Sequence, residues 1–190
     1  MSHPTISVII PSLNYGRYIE QAIQSILSQD YSKIECIVVD GGSTDETINI
    51  LNKHRGQIKW ISELDNGQSD AINKGLKMSN GDILSFLNAD DWYEPNVLGR
   101  VVSIFQKYPN VDLVTGNCYY FNQTTQEKIL HTTSFQNINY SHLVFDGDCN
   151  CIFQPASFFT RRIVEKIGYF DVNLNYAMDY DYWIRILKVS

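Results

Sequence analysis

The first two-thirds of the chain alternate between short apolar runs and segments with helical periodicity, and this alternation restricts the fold more than any other feature. Four apolar runs are interpreted as buried strands, at residues 6–10, 34–39, 58–61 and 83–87. Apolar residues recur at helical spacing over 18–27, 69–78 and 95–108, and a fifth strand begins within 111–121. Strands that alternate with helices favour a mostly parallel sheet covered by helices on both faces, which is an α/β fold.

The helix after the second strand carries a start signal. Ser43 stands at a cap position and Glu46 follows three residues later, which is the pattern of a capping box. We therefore expect Ser43 to cap this helix.

The pattern loosens in the last third. Residues 122–148 are polar and aromatic without a clear period and are interpreted as a hairpin or loop lobe. Residues 152–160 indicate a strand, 162–167 a short helix ended by Gly168, and the residues from Asp179 onward a final helix. No repeat or low-complexity linker interrupts the chain, so we expect a single domain over residues 1–190. The chain stops inside the last predicted helix, which indicates a fragment or a trimmed form.

Charge and length exclude several classes of function. The formal net charge is -6 and the pI about 5.1, whereas a nucleic-acid partner requires a basic surface. No apolar stretch reaches the roughly 18 residues that a membrane-spanning helix needs, and no signal peptide precedes the first strand.

The four cysteines give no support for a zinc site or a disulfide framework. Cys36 lies in an apolar run and is interpreted as a core residue. One residue separates Cys149 from Cys151, whereas a Cys-x-x-Cys motif has two between its cysteines. The thiols are expected to be reduced and the protein cytoplasmic.

Polar residues follow each of the first four strands, at 11–15, 40–43, 65–68 and 88–91. The carboxyl ends of parallel strands lie along one edge of the sheet, where α/β proteins bind ligands, so the four segments could form one site. Each segment also has a simpler interpretation. Asp40 could cap the Gly-Gly turn after it, and Asp65 could begin a turn with the next two residues.

Two adjacent acids, Asp90 and Asp91, directly follow the apolar run that ends at residue 87. Their carboxylates are the ligands that hard divalent cations prefer. They could instead start the next helix, because Asp is a good N-cap and Pro95 suits a first turn.

Five segments in this order resemble family 2 glycosyltransferases of the inverting type. They are residues 7–14, 38–45, 66–75, 88–91 and 178–185, and the resemblance extends from Ile6 to about Lys188. It implies a GT-A fold with a Rossmann-like, mostly parallel central sheet flanked by helices and a smaller C-terminal lobe on the acceptor side. Residues 1–121 would then form the nucleotide-sugar-binding half, and residues 122–190 the half with the acceptor site and the catalytic base.

The resemblance implies roles for residues near the nucleotide base. Pro11 and Ser12 would lie beside the base, with Asn14 supporting their loop. Asp40 would accept a hydrogen bond from a base N–H, as a uracil ring offers.

The resemblance also implies roles around the diphosphate. Gly67 and Gln68 would let the backbone close over the nucleotide. Asn88 occupies the first, nucleotide-contacting position of the family's Asp-x-Asp motif. Asp90 and Asp91 would hold a divalent metal, Mn or Mg, that bridges the two phosphates.

Asp179 matches the family's catalytic base, which would take the proton from an acceptor hydroxyl as that oxygen attacks the anomeric carbon. The competing interpretation is that Asp179 caps the helix that follows it. Arg185 is expected to pair with Asp181 four residues earlier rather than to contact a phosphate.

The sequence departs from the family pattern at three positions. Asn88 replaces an acid, Ile72 stands where the family often carries Arg, and Met178 replaces the acid that often precedes the base. Without that neighbouring negative charge, Asp179 should ionise more readily.

The resemblance therefore implies an inverting, metal-dependent transferase that uses a nucleotide sugar, with UDP as the preferred carrier over GDP or dTDP. The acceptor would be a saccharide or a lipid-linked saccharide in surface polysaccharide or glycan biosynthesis, and a peripheral association with the inner face of the cell membrane is compatible with this. One alternative is an inactive relative that only binds nucleotide sugars. Another is a sugar-1-phosphate nucleotidyltransferase, which would require a Gly-rich loop after the first strand, whereas residues 11–17 contain one glycine.

Overall fold

The computed structural model describes residues 3–133, 138–145, 152–174 and 176–190. In these ranges the strands are β1 (Ile6–Ser12), β2 (Ile34–Asp40), β3 (Lys59–Ser62), β4 (Ile83–Phe86), β5 (Leu113–Thr115), β6 (Cys118–Phe121), β7 (Lys128–His131) and β8 (Ser157–Thr160). The helices are α1 (Gly16–Leu27), α2 (Thr47–Lys53), α3 (Gln68–Met78), α4 (Val97–Lys107), α5 (Tyr140–Phe145), α6 (Arg161–Ile167) and α7 (Met178–Val189).

Six strands form the central sheet in the order β3-β2-β1-β4-β8-β5. The first four run parallel, and β8 lies antiparallel between β4 and β5. The predicted mostly parallel sheet is thus confirmed, as are the first four strands and the helices after β1, β3 and β4 to within two residues at each end.

The predicted fifth strand is two strands. Its first part, β5, pairs only with β8, and the chain then leaves the sheet at Gly116, whose N–H donates to the Ala156 carbonyl (2.9 Å). Its second part, β6, forms a separate two-stranded hairpin with β7. Only β7 of this hairpin lies within the lobe predicted for residues 122–148, because β6 belongs to the predicted fifth strand. Some residues of that lobe lie outside the described ranges.

Alternating side chains of the strands fill two cores, one on each face of the sheet. Helices α1 and α4 cover one core, and α3, α6 and α7 cover the other. In β1, Val8 and Ile10 point into the first core and Ile9 into the second, which is the period of two that a strand buried on both faces requires.

One expected helix start and two alternative ones are wrong. Helix α2 begins at Thr47 rather than after Ser43, because the Asp45 carboxylate accepts from the Thr47 backbone N–H (3.0 Å). The Ser43 hydroxyl instead donates to Asp40 and accepts from the Asn14 N–H. Asp90 and Asp91 do not start a helix, since α4 begins at Val97.

The third concerns α7, which begins at Met178 with Ala177 as its N-cap, so Asp179 lies inside the first turn and is not the cap. The strand predicted over 152–160 is shorter than expected, because a 3-10 helix at Gln154–Ala156 precedes β8 and only 157–160 pair in the sheet. The short helix predicted over 162–167 is confirmed as α6 to within one residue. Helix α6 ends at Gly168, whose φ of 81° favours glycine.

Cys36 is buried in the core, as expected, and both Cys36 and Cys118 are free thiols. Cys149 and Cys151 lie outside the described residues. None of the described helices combines the length and apolar character that crossing a bilayer requires.

Candidate active site

A cleft of about 330 Å³ opens where three of the four predicted polar segments meet. It is lined by Pro11, Ser12, Leu13, Tyr15, Asp65, Gly67, Gln68, Ala71, Asn88, Ala89 and Asp90. These segments follow β1, β3 and β4, so the cleft lies at the carboxyl edge of the parallel strands. Of the residues predicted to act in the site, Asn14, Asp40, Asp91 and Asp179 are not part of this lining.

The loop after β1 is fixed to the loop after β2 by Asn14. Its backbone N–H donates to Ser43 Oγ (2.7 Å), and its side-chain oxygen accepts from the Thr44 N–H (2.8 Å). Asn14 has a φ of 58°, a left-handed conformation that Asn tolerates better than most residues. The two loops therefore form one rigid support for the lining residues Pro11 and Ser12.

Asp40 is fully buried (0% exposed) beside this support. Its carboxylate accepts from the N–H groups of Gly42 (3.1 Å) and Ser43 (2.9 Å), from Ser62 Oγ (2.7 Å), and from the Ser43 hydroxyl. The interpretation of Asp40 as a turn cap is confirmed. Three of these donors reach Oδ2 and only the Ser43 hydroxyl reaches Oδ1, so Oδ1 retains acceptor capacity for the predicted contact with a base N–H.

Ser12 is the lining residue with an unfilled hydrogen-bonding demand. It is 5% exposed, and its Oγ has no hydrogen-bond partner among the described residues. A buried hydroxyl without a partner costs about 1–3 kcal/mol. A polar ligand in the cleft could provide that partner.

The opposite wall is the start of α3. Gly67 has a φ of 101° and caps the helix, and its N–H donates to Asp65 Oδ1 (2.9 Å). This backbone conformation favours glycine. Gln68, the first helical residue, donates from its side-chain amide to Asn88 Oδ1 (2.6 Å) and thereby closes the gap to the loop after β4.

That loop presents the two acids. Asp90 is exposed on the cleft wall, while Asp91 is half-buried. Burial and the charge of Asp90 raise the pKa of Asp91 to about 6, against a smaller opposing effect of a hydrogen bond from Asn88. The charge of Asp90 is also the main cause that raises the pKa of the lining residue Tyr15.

A divalent metal fits this pair of acids. Two carboxylates that repel each other would both be stabilised in their ionised forms by a cation. Mg²⁺ in particular is commonly held by one or two carboxylates together with substrate phosphates and water. Within the described ranges, no group of three or more His, Cys, Asp or Glu side chains is placed so that it could hold a metal ion by itself.

The raised pKa of Asp91 predicts a stability cost at neutral pH. Folded Asp91 holds its proton more tightly than the unfolded chain does, so stability falls as the pH rises from about 4, the ordinary value, to about 6. Asp91→Asn should therefore raise the free energy of unfolding by about 1–2 kcal/mol at pH 7.5 without metal. Thermal unfolding at pH 7.5 and pH 4 checks this, and the gain should shrink to about a few tenths of a kcal/mol at pH 4.

Asp45→Asn is the matched control for that experiment. The pKa of Asp45 is lowered mainly by the Thr47 hydroxyl, so the same loss of charge should lower the melting temperature at pH 7.5. A lower melting temperature for Asp91→Asn at pH 7.5 would contradict the inference that the ionised Asp91, beside Asp90, destabilises the folded protein.

Asp179 lies near the cleft because the first turns of α7 and α3 are in contact. The thioether of Met178 accepts a hydrogen bond from Ser69 Oγ (2.9 Å), and Ser69 directly follows the lining residue Gln68. Asp179 is half-buried, and its carboxylate accepts from the Tyr180 N–H (2.8 Å). The position of Met178 thus explains how the start of α7 is brought beside the start of α3.

The expected ion pair of Arg185 with Asp181 is confirmed (2.8 Å). Arg185 also donates to the carbonyls of Ile167 and Tyr169. Ile72, at the position where the family often has Arg, is fully buried in the core. The adjacent Asn73 has a structural role, since its amide makes two 2.9 Å hydrogen bonds to the backbone of Phe170.

Tyr15 and Gln154 were not predicted as site residues. Tyr15 could have been found, because it lies in the polar segment that follows β1. Gln154 carries no sequence signal, yet its side chain bonds Asn88 (3.2 Å) and the Phe86 carbonyl (2.8 Å) from a short 3-10 helix, Gln154–Ala156.

Comparisons of the sequence with known proteins identify one family. The sequence profile of Glycosyl transferase family 2 matches residues 7–168. An uncharacterised glycosyltransferase of Rickettsia typhi is 32% identical over 197 residues, which cover 98% of this chain and 60% of that protein. The PGL/p-HBAD biosynthesis glycosyltransferase of Mycobacterium tuberculosis is 32% identical over 193 residues, covering 97% and 70%. The chain thus spans 60–70% of the length of these two relatives.

Solved structures share the fold. S. aureus TarS 1–349 in complex with UDP superposes with a TM-score of 0.78 at 21% identity, covering 96% of this chain and 55% of that one. The mannosyltransferase PcManGT of Pyrobaculum calidifontis, in complex with GDP-Man and Mn²⁺, superposes with a TM-score of 0.73 at 22% identity, covering 98% and 52%. Because the family profile matches most of the chain and its sheet and helices match these structures, the chain belongs to glycosyl transferase family 2 and adopts the GT-A fold.

Proposed function

We propose that this chain is the donor-binding and catalytic part of an inverting, metal-dependent glycosyltransferase. The donor is a nucleoside-diphosphate sugar, and the acceptor is a hydroxyl group of a saccharide or a lipid-linked saccharide. The observation that carries the proposal is the cleft itself, which has the unpaired Ser12 hydroxyl on one wall and Asp90 on another.

The proposed donor carrier is UDP. The complex of TarS with UDP supports this choice, although PcManGT carries GDP-Man in a similar fold. The proposed base contacts are Pro11 and Ser12, supported by the rigid loop at Asn14 and Asp40, and Gly67 and Gln68 face them across the cleft.

Asp90 and Asp91 would hold a Mg²⁺ or Mn²⁺ ion in this proposal. When bound, that ion would supply Lewis-acid stabilisation of the charge that grows on the departing diphosphate. The Mn²⁺ in the PcManGT complex supports this assignment for the fold. Asn88, in place of an acid, leaves two carboxylates for the task.

Asp179 is the proposed base. It lies in the first turn of α7, directly after Met178, which contacts Ser69 at the start of α3. Asp179 takes the proton of the acceptor hydroxyl as that oxygen forms a bond to the anomeric carbon. The bond from this carbon to the diphosphate oxygen breaks on the opposite side, so the anomeric configuration inverts.

The biological setting proposed is the synthesis of a surface polysaccharide or glycan, at or near the inner face of the cell membrane. The name of the M. tuberculosis relative places that protein in a biosynthetic role, which supports a synthetic function for this chain.

Calorimetric titration of UDP, with and without Mn²⁺, tests the donor site. We expect binding that is at least about tenfold tighter with Mn²⁺, since the paired acids need a cation beside a diphosphate. GDP and dTDP serve as comparison ligands and should bind more weakly. Absence of binding by all three nucleotides would overturn the proposal.

A donor hydrolysis assay then separates an active enzyme from an inactive relative. UDP-sugars are incubated with Mn²⁺ and without acceptor, and released UDP is measured, because transferases can pass the sugar slowly to water. Nucleotide binding without release of UDP from any UDP-sugar, and without transfer to any saccharide acceptor, would favour the inactive relative.

A further inference from the structure

Three side-chain amides form a continuous chain of hydrogen bonds beside the cleft. Gln68 donates to Asn88 Oδ1 (2.6 Å), Asn88 donates to Gln154 Oε1 (3.2 Å), and Gln154 donates to the Phe86 carbonyl (2.8 Å). The chain links the start of α3, the loop after β4 and the segment before β8. Gln68 and Asn88 line the cleft, whereas Gln154 lies behind Asn88.

The Phe86 carbonyl, the last acceptor, determines the direction of all three hydrogen bonds. A backbone carbonyl can only accept a hydrogen bond, so Gln154 must turn its NH₂ group toward Phe86 and its oxygen toward Asn88. Asn88 must then present its own NH₂ group to that oxygen. Its remaining oxygen faces Gln68, which must donate.

This direction is one reason for a neutral residue 88, and the hydrogen bond that Asn88 donates to the Asp91 carboxylate is another. A carboxylate at this position would place an acceptor oxygen against the Gln154 oxygen, at the 3.2 Å now spanned by a hydrogen bond. Rotating the Gln154 amide would relieve that contact but would place its oxygen against the Phe86 carbonyl. Either arrangement leaves two acceptors facing each other in a partly buried position, which is unfavourable.

We propose that Gln154 is a positioning residue of the donor cleft. Its side-chain oxygen requires a hydrogen-bond donor at residue 88, and this bond holds the loop of Asp90 and Asp91 against α3. The Asn88 carbonyl accepts from the Asp91 backbone N–H (3.0 Å), so an Asn88 fixed at its side chain also fixes the turn that carries both acids. This inference rests on the proposed donor function of the cleft.

A double-mutant cycle tests the proposal. UDP with Mn²⁺ is titrated at pH 7.5 into the wild type, Gln154→Met, Asn88→Asp, and the double variant, and melting temperatures are measured for all four. Methionine has a similar shape to glutamine but neither donates nor offers a strong acceptor. Alone, Gln154→Met should weaken UDP binding about five- to tenfold, because it removes a pair of hydrogen bonds.

The decisive result is a reversal of sign. In the Asn88→Asp background, Gln154→Met should tighten UDP binding and raise the melting temperature, because it removes the acceptor that faces the new carboxylate. If Gln154 only supported the structure, Gln154→Met would lower the UDP affinity and the melting temperature in both backgrounds. Loss in both backgrounds, or no effect in either, would overturn the proposal.

Gln29→Met is the matched control. Gln29 also bonds backbone groups, at Ser25, Glu94, Val97 and Leu98, but it lies outside the cleft lining. It should lower the melting temperature equally with and without Asn88→Asp. If the wild type binds no nucleotide, the proposed function fails and the role in donor binding fails with it. The melting temperatures still decide the direction of the amide chain.

Discussion

Asp179→Asn is expected to reduce the rate of sugar transfer by about 10²–10⁴-fold, the range for loss of a general base. Asparagine keeps the size of the side chain and can still accept the Tyr180 N–H, so α7 should remain intact. Because Asp179 is not among the residues that line the donor cleft, the affinity for UDP with Mn²⁺ should change less than about twofold. Transfer rates and calorimetric titrations of the same samples check both expectations.

Asp181→Asn is the control for this experiment. Asp181 lies in the same first turn but pairs with Arg185, so its loss should leave the rate of transfer nearly unchanged. If Asp179→Asn retained the full rate while the wild type was active, another group would have to take the acceptor proton, and the proposed base would be wrong.

Asp90→Asn is expected to abolish the increase in UDP affinity that Mn²⁺ produces. The substitution keeps the shape of the side chain but removes one of the two carboxylates proposed to hold the metal. Replacing a residue that only hydrogen-bonds a metal ligand lowers metal affinity about 10- to 100-fold. Loss of a ligand itself should lower the affinity at least as much. Titration of UDP at several Mn²⁺ concentrations measures this effect, and the metal-independent affinity should be preserved.

Asp65→Asn distinguishes a metal ligand from a general effect of negative charge. Asp65 also lines the cleft, but it serves as an acceptor for the Gly67 N–H, a bond that asparagine can keep. Its substitution should leave the Mn²⁺ dependence in place. If both variants lost the Mn²⁺ dependence equally, Mn²⁺ binding would depend on the total negative charge of the cleft. That result would contradict a specific ligand role for Asp90.

The parts of the fold that could be predicted are those in which neighbours in sequence are also neighbours in the sheet. The first four strands and the helices α1, α3 and α4 follow from periodicity. The strands β1, β2 and β4 are largely buried on both faces, each of these helices is buried on one, and β3 is the partly exposed edge strand. The three polar segments around Ser12, Gln68 and Asp90 meet because parallel strands end at one edge. Predicting the cleft required only this topology.

The parts that could not be predicted depend on contacts between distant residues. Ser43 has the sequence of a helix cap, but Asn14, 29 residues earlier, and the buried Asp40 compete for its side chain. Gln154 bonds Asn88 across 66 residues, from a segment with no periodic pattern. No local propensity encodes either contact, and both depend on which loops the sheet brings together.

The two proposed halves of the chain, residues 1–121 and 122–190, share the central sheet through β8. This strand lies between β4 and β5, yet residues 87–156 separate it from β4 in the chain. During synthesis at about 5–20 residues per second, the apolar β4 edge leaves the ribosome several seconds before its partner does. An open strand edge of this kind pairs readily with other chains. The nascent chain is therefore open to pairing at this edge during the interval, even though the finished sheet has β4 at its centre.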